Sequence, residues 1–91
     1  MGFIDLENDG KQYLARVKAA LSRRGLKPDL SEEWTIHGPH QNMDYPVLIG
    51  WAHDGKDNWH LVAVYPRAVY EIEDESNWWD VGSKNRLWVD S

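Results

Sequence analysis

A change of hydrophobic period divides this chain and limits what it can fold into. Tyr13, Leu14, Val17, Ala20 and Leu21 recur at i, i+1, i+4, i+7 and i+8, one apolar stripe at the 3.6-residue period of an amphipathic helix. From residue 33 onward the period is 2, in short apolar runs separated by turn residues. The stripe predicts a helix over residues 9–24. Asn8 or Asp9 is the expected N-terminal cap, and Arg23 and Arg24 fall in the last turn, where cations meet the negative end of the helix dipole. Gly25 is the natural left-handed terminator, and Pro28 forbids continuation. Lys11, Arg16, Lys18, Arg23 and Arg24 are left on the solvated face, so Arg16 is expected to contribute little to stability.

The period-2 half predicts strands at 33–37, 47–53, 59–65, 68–72 and 86–89. Gly38-Pro39 ends the first, His40 to Tyr45 is a polar loop, and Pro66 ends the third. Asp54-Gly55-Lys56-Asp57-Asn58 is rich in residues that accept left-handed backbone angles, so 47–53 and 59–65 form a β-hairpin. Residues 74–84 read as a long turn with one helical turn around 77–80. One helix followed by strands with hairpin-length links gives an α+β fold. It has one N-terminal amphipathic helix packed on a four- or five-stranded antiparallel meander.

A four-residue connection at Asp54–Asp57 would set His53 opposite Asn58, Trp51 opposite His60, Ile49 opposite Val62 and Val47 opposite Val64. Gly50, Ala52 and Ala63 would then share the face that receives the helix. The other face would hold Val47, Ile49, Trp51, His60, Val62 and Val64, too apolar to stay open to water. Either later strands or the Trp78–Trp79 segment cover it, or it binds a partner. One residue of slip would invert the assignment.

Length and composition set the outer limits. At 91 residues the chain supports a single small domain, 1–91, and has no Cys for a disulfide or a Cys-based zinc site. Its 42% hydrophobic and 27% charged content is globular, and no run approaches the roughly 20 apolar residues of a membrane span. The start lacks a basic n-region followed by a long apolar run, so a cytoplasmic protein is expected.

Charge is unevenly spread. Residues 1–30 carry six bases and four acids, a net of +2, whereas residues 31–91 carry eleven acids and four bases, a net of −7. Glu71, Glu73, Asp74, Glu75 and Asp80 fall within ten residues that hold no Lys or Arg. That field opposes direct nucleic-acid binding and favours a larger protein with a basic surface. Of six Trp, Trp34, Trp51, Trp59 and Trp88 lie in strand patterns and read mainly as core area, but Trp78 and Trp79 are adjacent in an acidic turn, so at least one is expected to be exposed. The expected partner-binding residues are Glu71, Glu73, Asp74, Glu75, Trp78, Trp79, Asp80, Trp51 and His60.

Catalytic and metal chemistry find no motif. His37 and His40 are three apart, and His53 and His60 flank the hairpin loop, but convergence of three or four ligands is not encoded. No Ser or Thr occupies a nucleophile elbow, and no glycine-rich phosphate loop occurs. No catalytic residue, metal or cofactor is therefore expected. In character, though in no motif, the chain resembles immunity proteins, antitoxins and phage-encoded inhibitors of host defence, which are small, acidic, Trp-rich and Cys-free. The resemblance implies a protein-binding inhibitor. Two other functions fit the same residues: a small-ligand or carbohydrate-binding module with an aromatic platform, and a structural subunit of a larger assembly. Self-association as a homodimer is a further option.

Overall fold

The computed structural model describes residues 2–38, 45–79, 81–82 and 85–89. One helix, α1 (Lys11–Ser22), packs on a seven-stranded antiparallel sheet built from β1 (Gly2–Ile4), β2 (Lys27–Pro28), β3 (Trp34–His37), β4 (Val47–His53), β5 (Trp59–Tyr65), β6 (Ala68–Glu71) and β7 (Arg86–Val89). The sheet order is β1-β3-β4-β5-β6-β7, and β2 pairs with β4 as an interrupted extension of β3. The α+β class matches the sequence, but the sheet has more strands than the four or five expected. The additions are β1 and β2, and β6 ends at Glu71 rather than residue 72.

Both helix ends have local causes. The Asp5 carboxylate accepts from the Glu7 and Asn8 backbone N–H groups, and the Asp5 carbonyl accepts from Asn8, Asp9 and Gly10. These residues form their own turn, so Gly10 is the N-cap, neither Asn8 nor Asp9 caps, and the helix starts at Lys11. At the other end Gly25 takes φ 70°, and the Leu26 N–H returns to the Leu21 carbonyl at 3.0 Å. No helix among the described residues is long and apolar enough to cross a membrane.

Each face of the sheet carries a buried apolar cluster. On the helix side, Val17, Ala20 and Leu21 of α1 pack with Leu6, Leu26, Trp34, Leu48, Ala52, Val62, Val64 and Val69. Trp34 lies flat across Gly50, where any Cβ would fall inside the indole, and its ring N–H donates to the Asp29 carbonyl at 2.9 Å. Gly50 thus makes room for a tryptophan and not for the helix. On the far side Val47, Ile49, Ala63 and Ile72 form a second cluster, joined by Leu61, Tyr65, Tyr70, Trp78 and Val81.

The hairpin register differs by one residue from expectation. His53 pairs with Trp59, Ala52 with His60, Trp51 with Leu61, Gly50 with Val62 and Ile49 with Ala63. Asn58 belongs to the loop, because its side-chain amide donates to the Asp54 carboxylate at 2.7 Å. The slip inverts β5: Val62, Val64 and His60 face the helix side, and Trp59, Leu61, Ala63 and Tyr65 face away.

Arg16 also departs from its expected place. Its guanidinium is half-buried and donates to the Pro46 carbonyl at 2.9 Å and the Val64 carbonyl at 3.2 Å. It lies 5.6 Å from the centre of the Tyr45 ring. Arg16 ties the helix to the ends of β4 and β5 and is no solvated bystander.

Candidate partner-binding surface

Residues 72–79 form a strap across the far face of the sheet. The Ile72 N–H donates to the Leu61 carbonyl of β5 at 2.8 Å, and the Thr35 hydroxyl of β3 donates to the Glu75 carboxylate. Leu61 pairs with Trp51, and Thr35 with Ile49. The strap therefore crosses β4 between Trp51 and Ile49. Asp74 caps a short 3-10 turn at Glu75–Asn77, earlier than the 77–80 turn expected, by accepting from the Ser76 N–H. That bond holds the Asp74 carboxyl below its usual range, so it stays ionised in mildly acidic solution.

Trp78 anchors the strap's far end. Its ring packs 4.8 Å from that of His37 and 6.1 Å from that of Tyr65, and its carbonyl accepts from the Tyr65 hydroxyl at 2.8 Å. Burial, and then the neighbouring Tyr70, push the Tyr65 hydroxyl up to about 12, so it remains a donor at neutral pH. Beneath the strap Ile49 and Val47 are fully buried.

Beyond the strap the same face is open. Trp51 and Trp59 are 44% and 50% exposed on adjacent strands, a level at which large aromatics contribute contact area to solvent instead of to the core. Trp51 stands opposite Leu61 and His53 opposite Trp59, making a two-by-two lattice of side chains at the hairpin end of the sheet. The His53 and Trp59 rings are 4.8 Å apart. His53 Nδ1 accepts from the Gly55 N–H at 3.1 Å, which orients the ring. Carboxylates border the lattice. Glu73 and Asp74 lie on the strap, Asp54 and Asp57 in the hairpin loop, and Asp29 gives its backbone N–H to the Trp51 carbonyl. The side chains of Asn58 and Ser31 hold the Asp54 and Asp29 carboxyls, respectively, below their usual range.

The residues singled out from the sequence divide by face. Trp51, Glu73, Asp74, Glu75, Trp78 and Trp79 belong to the far face or its strap. Trp78 is partly buried, whereas Trp79 is 63% exposed with its ring edge-on to Trp78. His60 and Glu71 lie together on the helix-side face, joined at 2.6 Å, so His60 stands opposite Ala52 and not opposite Trp51. Asp80 and His40 lie outside the described residues. His37, His53 and His60 do not converge: His37 and His53 are about 20 Å apart along β4, and His60 faces the other way. Among the described residues no group of three or more metal-ligating side chains gathers. Sequence reasoning missed Trp59 as an exposed residue. The Asp54–Asn58 side-chain pairing that sets its face was the available signal.

No protein-family model, curated protein or solved structure matches this chain.

Proposed function

We propose that this protein is a small protein-binding module of the inhibitor or immunity kind, which acts by occupying a basic surface on a larger partner. The observation that supports this most directly is the open end of the far face, where half-exposed Trp51 and Trp59 are bordered by Glu73, Asp74, Asp54 and Asp29. Exposed tryptophans on a rigid sheet anchor interfaces well, because little side-chain freedom is lost on contact. Carboxylates around them attract a basic partner and speed its approach. A stable interface takes roughly 800 Å² from each partner, a sizeable share of the 5919 Å² this chain exposes. The contact would therefore extend from the tryptophans onto the strap and the hairpin loop.

The test is affinity capture from the native cell at low salt with the wild-type protein and a Trp51→Ala/Trp59→Ala variant. A captured protein with a basic surface that the variant fails to retain supports the function. Equal retention by both proteins overturns the surface, and no specific capture overturns the function. The same exposed pair of tryptophans favours a second reading, a carbohydrate-binding platform. A saturable change in Trp fluorescence with a glycan panel would decide for it.

A further inference from the structure

The lattice at the hairpin end has a more specific chemistry than a generic apolar patch. Trp51 and Trp59 occupy diagonal positions across an antiparallel pair, as neighbours about 7–8 Å apart. That spacing lets a single partner segment reach both residues. The neighbouring charges are mostly negative: Glu73 and Asp74 from the strap, Asp54 and Asp57 from the loop and Asp29 from the β2–β3 link, against Lys27 opposite His53 and Lys56 in the loop. A ring face is the negative part of its quadrupole, so ring faces and carboxylates select for cations together.

We propose that this lattice is a guanidinium site: it takes arginine side chains of a basic partner segment, laid over Trp51 and Trp59 and paired with the surrounding carboxylates. The assignment rests on the docking surface proposed above and names what that surface recognises. Arginine fits better than lysine for two physical reasons. The guanidinium is flat and weakly hydrated, so it stacks on an indole at small desolvation cost. It also presents donors in a fixed fork that matches a carboxylate, whereas an ammonium is a compact, strongly hydrated point charge. His53 contributes by bracing: its ring packs on Trp59 and is held by the Gly55 N–H, so the lattice is formed before anything binds.

The experiment titrates the intact protein with three peptides: Ac-Gly-Arg-Gly-Arg-Gly-NH2, its lysine counterpart and its citrulline counterpart. The indole N–H signals of Trp51 and Trp59 are followed by heteronuclear NMR. The arginine peptide should shift both signals saturably and bind about fivefold tighter than the lysine peptide. The citrulline peptide, flat but neutral, should bind more weakly than the arginine peptide. Trp51→Ala and Trp59→Ala should each remove the preference for arginine over lysine, and Trp79→Ala should retain it. Both variants replace half-exposed side chains, and their dispersed spectra would confirm that they fold. Equal affinity for the arginine and lysine peptides, or a preference that survives in the Trp51→Ala/Trp59→Ala variant, overturns the site. Captured-partner retention that needs Trp51 and Trp59 alongside equal peptide affinities would overturn the guanidinium assignment and leave the docking surface standing. Failure of both would overturn the two together.

Discussion

Arg16 carries a half-buried charge to the point where α1, β4 and β5 meet. One terminal nitrogen, Nη2, donates to both the Pro46 and the Val64 carbonyls and so joins the helix to two strands. Hydrogen bonds from charged donors contribute more than neutral ones, and their loss leaves acceptors dry. Arg16→Ala should cost about 2 kcal/mol in a denaturant titration, and Arg16→Lys should recover only part, because an ammonium is more strongly hydrated than a guanidinium and costs more to bury. The apolar stripe could not reveal this. Position 16 borders the stripe, and a long aliphatic stem lets an arginine bury its body while the pattern still reads as charged. Tyr65 makes the second residue-scale prediction. Its hydroxyl ionises near 12 in the folded protein against 10 in an unfolded chain. Stability that depends on the neutral form is complete below pH 10 and is lost as pH rises through about 12. Alkaline unfolding should begin in that interval, and Tyr65→Phe should flatten it. A Tyr65→Phe protein with an unchanged alkaline limb would show that the strap does not depend on this hydroxyl.

At the scale of elements, the long periodic segments were legible and the short ones were not. The five strands β3 to β7 occupy nearly the residues their periods indicate, because each presents enough apolar positions for a face to show, and α1 is two residues shorter than expected at each end. β1 has three residues and β2 two, too few for any period, and both exist because β3 and β4 offer them an edge. The hairpin register was misjudged through one side chain. Asn58 closes the loop onto Asp54 instead of starting β5, and that choice moved Trp59 onto the open face. Gly50 gives the element-scale prediction. A methyl group there would enter the Trp34 indole, which cannot retreat without breaking its bond to Asp29 and unpacking Leu48 and Val62. Gly50→Ala should therefore cost roughly 1–3 kcal/mol by overpacking. A Gly50→Ala protein as stable as the parent would mean that Trp34 does not lie over this position.

For the whole molecule, the strap decides what the far face offers a partner. It seals Val47 and Ile49 and leaves Trp51 and Trp59 outside. It also carries Glu73 and Asp74 to the border of the open end and Trp79 to the opposite side of the crossing. The sequence made the acidity and the aromatic excess plain, but only the chain path separates the two tryptophan groups. That separation makes the interface testable by kinetics, once a partner is in hand. Glu73→Gln, Asp74→Asn and Glu75→Gln together remove charge and keep each acceptor: asparagine still caps the 3-10 turn, and glutamine still accepts from the Thr35 hydroxyl. This variant should melt close to the parent and associate more slowly, with the deficit shrinking as salt screens the field. Trp51→Ala and Trp59→Ala should leave association nearly unchanged and raise the dissociation rate, since they remove buried contact and not long-range attraction. Trp79→Ala should change neither rate appreciably. Faster dissociation of Trp79→Ala, with Trp51→Ala unaffected, would move the interface to the other end of the strap.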